Sequence, residues 1–461
     1  MENLNTQKKS LIPMISVTVL FFMWGFITSL NDILIPYFKN VYQLSHFQAN
    51  IVQFAFFVAY FVISLIFYFW TKTGKDPIHK YGYKTTLMIG LLIETIACFL
   101  FAITAKMQLT FGVFLIPLFL MGTGLTFLQI AANPFVSIIG DRETASSRLN
   151  LTQAFNSLGT TLGPALGGYF ILSYFTKDAQ TTEALFYPYL FLAILLLLLT
   201  IYIKTVKISA DTETESNAEE SSEGIFKKPY VFLGALGIFF YVGAEVAVGS
   251  NLVSYMKDAV NLPETIAAAF LSYYWGGAMI GRFLGAVSLS KADKAKKILY
   301  MILLAVGSFL VIYLVNYGLK DLKFADVWMF LVFVVFNFIF FYIGSGRPAL
   351  TLGIFTMVNI ALLICAMFMQ GPVTMWCLLA MGLFNSIMWG NVFTLAIDGL
   401  GEQTASASSI LIMMILGGAV LPPLQGLLAD VIGIRMSFII PMISYIYLCF
   451  YGFAGYKIGK K

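Results

Sequence analysis

ANPFVSIIGDRETASSRLNL, residues 132–151, returns in altered form as GNVFTLAIDGLGEQTASASSIL, residues 390–411. Asn133 and Phe135 match Asn391 and Phe393 at an offset of 258, and Thr144, Ala145 and Ser146 match Thr404, Ala405 and Ser406 at 260. Further on, LGPALGG from Leu162 is echoed loosely by LGGAVLPPLQG from Leu416. A repeat of this length predicts a chain built as two similar halves. Working outward, each copy lies inside a long apolar stretch, so the halves are read as membrane-spanning bundles.

Composition agrees. Of 461 residues, 59% are hydrophobic and 11% charged, where soluble globular chains run near 25% charged; mean hydropathy is +0.85. A bilayer core of about 30 Å takes roughly 20 apolar residues in a helix, and segments of that length recur throughout. Alternating strands of about ten residues, the mark of an outer-membrane barrel, are absent from the pattern. Expected spans fall near 11–38, 48–70, 85–104, 109–135, 147–173 and 186–204, then near 230–256, 265–289, 297–317, 326–344, 348–369, 373–398, 405–431 and 435–456.

Between the sets lies DTETESNAEESSEG, residues 211–224. It has no large apolar residue to bury, so it reads as a disordered linker. The division is therefore a first six-helix bundle over 1–205, a linker over 206–228 and a second bundle over 229–461. The repeat offset exceeds what six helices require, which points to an extra helix pair at 326–369. Rocking transporters are built from such repeats, with the substrate at the midplane between halves.

With a cytoplasmic N-terminus, inner loops and termini hold 21 of the 28 Lys and Arg residues. Both termini are therefore expected inside a bacterial inner membrane. The net charge of +5 follows from this topology and does not point to nucleic acid. MENLNTQKKS enters a full-length span without a small-residue cleavage site, so the first helix is expected to be retained. Cys98, Cys365, Cys377 and Cys449 lie in spans at no metal-ligand spacing and read as small packing residues, and no metal or cofactor is expected. His46 and His79 fall in expected loops without a nucleophile or zinc arrangement, which speaks against an enzyme.

A charge at the bilayer centre costs about 2.5–3.5 kcal/mol on insertion scales, so intramembrane carboxylates are functional candidates. Asp32 stands in TSLNDILIP, residues 28–36, where Thr28, Ser29, Asn31 and Pro36 suit a helix opened locally towards a polar cavity. Leaving water disfavours a carboxylate's charge; such a group can load a proton on one side and release it on the other, or it can ligate Na⁺. Glu245, in the first span of the second half, is a candidate for the same cation site or for sugar hydroxyls. Glu94, in the middle of the third span, reads as structural, and Asp398 and Asp430 as solvated at span ends.

Amides are concentrated too. Gln129 and Asn133 share a face of the fourth span, and Gln153 and Asn156 a face of the fifth. Amides offer donors and acceptors to a polyhydroxylated neutral substrate. Trp24, Trp275 and Trp389 can stack on a pyranose, Trp389 especially, since it sits beside Asn385, Asn391 and Gly390 on a segment expected to be broken. Asn31 completes the candidate set.

FFMWGFITSLNDILIPYF, LQIAANPFVSIIG, SRLNLTQAFNSLGTTLGP, YVGAEVAVGSNLVSY, YYWGGAMIGRF and FNSIMWGNVFTLAIDGLG together resemble the fucose/glucose/galactose:cation symporters of the major facilitator superfamily, most closely the bacterial glucose/galactose branch. The resemblance covers nearly all of the chain outside the linker and the extra helices. It implies uptake of a hexose by H⁺ or Na⁺ symport with alternating access, carried out by a monomer in lipid. The family's coupling Asp falls on Asp32. The fucose members carry a second essential carboxylate where this chain has Gln129, so a two-carboxylate relay does not transfer and fucose is less favoured. Gln129, Gln153, Asn156 and Trp389 fall on the family's sugar contacts, though Gly390 stands where Pro is common. The alternatives are a proton symporter for L-fucose, mannose or N-acetylglucosamine, and a multidrug:proton antiporter, against which the many amides argue.

Overall fold

The computed structural model describes residues 2–72, 77–139, 145–176, 181–206, 228–288, 293–344, 347–400 and 404–460. The expected linker 211–224 lies outside the described residues. The described chain is all-helical, and every expected span is occupied. The first six passes are α1 (Glu2–Tyr42), α2 (His46–Lys72), α3 (Pro77–Lys106), α4 (Phe111–Ile138), α5 (Ala145–Tyr169, continued by a π turn, Phe170–Tyr174) and α6 (Phe186–Thr205). Beyond the linker come α7 (Pro229–Val260), α8 (Glu264–Ser288), α9 (Lys294–Lys320), α10 (Phe324–Gly344) and α11 (Pro348–Phe368). Three broken passes close the chain: α12 (Pro372–Asn385) with α13 (Met388–Ile397), α14 (Thr404–Met413) with α15 (Gly417–Ile432), and α16 (Ile434–Ser437) with α17 (Ile439–Phe453).

Twelve passes among the described residues are long and apolar enough to cross a membrane. The other two, α5 and α8, have 25 residues each and match them in length, but they are more polar. Both lie where the bundles meet. The bundles touch along two seams, α2 against α15 and α5 against α8, while α1 and α7 face each other between them. Within the first bundle α3 packs on α4 and α6, and within the second α11 packs on α12 and α17. The outer faces of α9 and α10 carry Leu303, Leu314, Val335 and Tyr342, all exposed as lipid-facing positions should be.

Lipid tails are as apolar as leucine, so helices in a bilayer associate through close packing more than through the hydrophobic effect. The α1–α5 crossing illustrates this. A Cβ on Gly159 would lie 2.1 Å from the Phe22 carbonyl oxygen, and one on Gly163 would lie 2.1 Å from Ser29 Oγ. No side chain fits at either position, and the backbones touch because none is there.

Two local expectations are corrected. α1 runs unbroken through Pro36, so the helix does not open around Asp32; neighbouring helices supply its polar partners instead. The interruption in the second bundle lies at Ser386 and Ile387, ahead of Trp389, and Gly390 is helical within α13.

Candidate functional site between the bundles

Trp24, Thr28 and Asp32 are spaced four apart and therefore share one face of α1. Asp32 is buried. Its Oδ1 accepts hydrogens from Gln53 Nε2 at 2.9 Å and Ser250 Oγ at 3.0 Å, and its Oδ2 accepts from Trp275 Nε1 at 2.9 Å. Gln53 belongs to α2, but Ser250 is on α7 and Trp275 on α8. The carboxylate is thus held jointly by both bundles. Gln53 also donates to Ser250 Oγ at 2.8 Å, and Asn31 reaches Gln53 Oε1 at 3.5 Å. A Cβ on Gly249 would stand 3.0 Å from the Trp275 ring and 3.5 Å from Asp32 Oδ2, which leaves little free space around the group.

Moving from Asp32 towards the α1–α2 turn, the cross-bundle contacts continue. Asn50 Nδ2 donates to Asn251 Oδ1 at 3.0 Å. Lys39 and His46 each lie 3.6 Å from the Asp258 carboxylate. Asp430, on α15, caps the start of α2 by accepting from the backbone amides of His46 at 2.7 Å and Phe47 at 2.9 Å, which corrects the expectation that it is merely solvated. Asn40 donates to Glu264 at 2.7 Å, and Lys257 pairs with Glu264 at 2.6 Å. This end of the molecule is closed. Partly exposed ion pairs contribute about 0–1 kcal/mol each, so the closure is a sum of weak contacts and can come apart.

Glu245 is buried on α7, beside the Tyr241 hydroxyl and Arg282 and within electrostatic reach of Asp32. Its Oε1 has no hydrogen-bond partner among the described residues. The α12–α13 break supplies the next layer. Asn385 Oδ1 accepts from Tyr445 at 2.7 Å and Asn359 at 2.8 Å, while its Nδ2 donates to Tyr274 Oη at 3.0 Å. Tyr274 in turn donates to the Glu245 carbonyl at 2.8 Å. Carbonyls left open by a broken helix must be paired in a membrane; Tyr241 takes that of Asn385 at 3.2 Å and Arg282 that of Ser386 at 3.4 Å. Arg282 also donates to Ser157 of α5, a further link between the bundles.

In the first bundle, Thr28 Oγ1 donates to the Trp24 carbonyl at 2.9 Å, and Tyr60 and Gln129 are buried. Asn133, one turn on, and Gln153 are half-buried. Asn156 spends its amide donor on the Phe21 carbonyl at 3.0 Å, and Asn391 spends its own on Pro348 at 3.1 Å, so these two brace helices. Trp389 stacks on Phe393 with ring centroids 4.9 Å apart, which covers one of its faces. Trp275, expected as a stacking surface, is a donor to Asp32. Gln53, Ser250, Tyr274, Asn359 and Arg282 were absent from the sequence-based set. Only their pairing marks them out. The cysteines are free thiols, and no group of side chains among the described residues can hold a metal ion. Asp398 is exposed and pairs with Lys460 at 2.9 Å.

A family model described as Major Facilitator Superfamily matches residues 17–352. The chain belongs to that superfamily. Among its relatives, a glucose/galactose transporter of Brucella abortus is 40% identical over 458 residues, 98% of this chain and 96% of that protein. An L-fucose-proton symporter of Escherichia coli is 27% identical over 446 residues, 92% and 88% of the two chains. A crystal structure of the superfamily transporter FucP in the outward conformation aligns with a TM-score of 0.62 at 25% identity, covering 96% of this chain and 98% of that one. A bacterial homologue of the lysosomal transporter Spinster, inward-facing and occupied, gives 0.61 at 12% identity and shares the fold alone. Like these members of the superfamily, the chain is a multi-pass membrane protein.

Proposed function

We propose that the protein is a hexose:proton symporter of the glucose/galactose type, working as a monomer in a bacterial inner membrane by alternating access. The observation that carries the reading is Asp32, a buried carboxylate bonded to side chains of both bundles and so placed to respond to their relative movement. The likeness to the glucose/galactose transporter of Brucella supports the substrate class. Sugar hydroxyls would be met by Gln129, Asn133 and Gln153 from the first bundle and by Glu245, Asn385 and Trp389 from the second.

The lining of Asp32 favours H⁺ over Na⁺. A hard cation requires several oxygen ligands, whereas Asp32 faces three donors. One of them, the indole N–H of Trp275, has no acceptor function at all. Purified protein in liposomes should accumulate labelled glucose or galactose under an inward proton gradient. Accumulation driven by sodium and indifferent to pH would refute the coupling ion; no accumulation of either sugar would refute the substrate class.

The charge distribution supports cytoplasmic termini, which makes the closed end periplasmic. The bundles comprise 1–205 and 229–461, joined by 206–228. The packing favours a different inserted pair from 326–369: α11 meets α12 and α17 as α3 meets α4 and α6. On this reading α11 is the counterpart of α3, and the insertion is α9 with α10, 294–344. Cysteine accessibility from each side of the membrane tests the topology, and labelling of Lys296 from outside would overturn it.

A further inference from the structure

The seam between α5 of the first bundle and α8 and α9 of the second is not filled along its whole length. A groove of about 360 Å³ runs between the three helices, within the range of small-molecule sites. Its floor is formed by Ala154, Met279 and Ser308, all buried, and its rims by Phe155, Leu303 and Val311, all exposed. Gly307 keeps it open, since a Cβ there would meet no atom within 4 Å. The rims lie in a stretch of α9 that otherwise faces lipid, so the groove opens on acyl chains and not on water. Leu158 and Phe283, which also line it, adjoin Ser157 and Arg282, whose bond links the bundles. A chain seated there touches both halves beside that link.

Cations stand at one end of the groove. α5 and α9 start on the same face of the membrane, four passes apart. KADKAKK, residues 291–297, leads into α9 with four Lys against one Asp. Lys296 is exposed, 3.4 Å from Asp293, and Lys297 is half-buried. On α5, the half-buried Arg148 donates from Nε to the Val136 carbonyl at 3.1 Å, a neutral partner that leaves its charge in place. At 1.5 Å per residue, Lys297 precedes Leu303 by about 9 Å and Arg148 precedes Phe155 by about 10 Å. The polar layer of one leaflet is about 5–8 Å thick, and long basic side chains extend towards it. Apolar trench and cations are thus spaced as the chain and the phosphate of one lipid are, and basic sites between spanning helices suit anionic headgroups. We propose that this groove binds one acyl chain of an anionic phospholipid, whose headgroup lies against Arg148 and the start of α9.

The test places the full chain in proteoliposomes containing a trace of phosphatidylglycerol or phosphatidylcholine, each with the same photoreactive group midway along one acyl chain, and maps cross-linked residues by mass spectrometry. α6 ends on the membrane face where α9 starts, and its exposed Ile194 and Leu198 lie at a similar depth, so they report ordinary contact with bulk lipid. Phosphatidylglycerol should label 154–158 and 303–311 about fivefold more than 194–198, the effect of about one cation near an anionic lipid. Phosphatidylcholine should label the two regions within about twofold of each other. Equal labelling of groove and α6 by phosphatidylglycerol, or the same excess for both lipids, overturns the proposal.

Substitutions then locate the site. Gly307→Leu puts a side chain into the open groove, and Val311→Trp covers its rim should the first variant fail to fold. Each should bring groove labelling by phosphatidylglycerol down to the level of α6. Lys296→Gln combined with Lys297→Gln should lower that labelling about fivefold or more, at about a factor of five per cation, and leave phosphatidylcholine labelling within about twofold. Undiminished groove labelling in the groove-filling variants, or an equal loss of both lipids in the lysine variant, overturns the proposal. None of these readouts uses sugar, so they stand even where uptake of glucose and galactose is absent.

Discussion

Asp32 and Glu94 are equally buried acids in the same bundle, yet their surroundings differ in kind. Asp32 lies in the seam between the bundles, 1% exposed, with three donors on its oxygens, two of them from the other half. Glu94 lies in the α3–α4 seam, 0% exposed, and neither carboxyl oxygen has a hydrogen-bond partner among the described residues. It fits because Gly124 has no side chain; a Cβ there would lie 2.7 Å from Glu94 Cγ. An unpaired charge in such a place is costly, so that seam accommodates an uncharged group of this shape. The contrast teaches that burial alone does not make a carboxylate a coupling group. On the proposed reading of Asp32 as the coupling group, what sets it apart is that its partners come from both bundles.

The most severe way to break the contrast is Asp32→Asn. It keeps the shape but has no proton to release; sugar exchange should persist while gradient-driven accumulation disappears, a loss of about 50-fold or more in steady-state ratio. Undiminished accumulation would end the assignment. Next comes Gln53→Leu, which removes the donor to Asp32 from its own bundle together with the cross-bundle bond to Ser250. A hydrogen bond to a charged group contributes about 1.5–3 kcal/mol, so accumulation of labelled sugar in proteoliposomes should drop about tenfold.

Weaker still is Asp258→Asn at the rim, where the pairs with Lys39 and His46 are partly exposed. About 0–1 kcal/mol of lost pairing allows at most about a fivefold rise in the open population, measured as the rate of alkylation of a cysteine placed at Ser250. The mildest is Glu94→Gln, expected to leave both exchange and accumulation within about twofold and the thermal midpoint of the detergent-solubilised protein unchanged or slightly higher. Loss of accumulation in Glu94→Gln would erase the distinction between the seams and make Glu94 a second proton carrier.

The order of helices was legible before any coordinates. Runs of about 20 apolar residues admit one solution in lipid, since every backbone amide must be paired within its own segment. All fourteen expected spans accordingly coincide with helices to within a few residues at most ends, apart from the earlier starts of α1 and α3. Asp32 was legible for the same reason, as a charge where charge is costly.

Its partners were not. Gln53, Ser250 and Trp275 lie 21, 218 and 243 residues away, and nothing local separates Ser250 from other hydroxyls in apolar helices. Pro36 signalled an opening that did not occur, because a continuous helix with neighbours on several sides tolerates the lost bond. The break at Ser386 and Ile387 was misplaced towards Gly390, because what stabilises it is the distant pair Tyr241 and Arg282. Sequence by itself determined which segments cross the bilayer and which residues are expensive to bury there, since both follow from the solvent. Only the tertiary structure decided which buried acid is braced by both bundles and which is left alone, because hydrogen-bond partners are set by how helices far apart in the chain come to lie side by side.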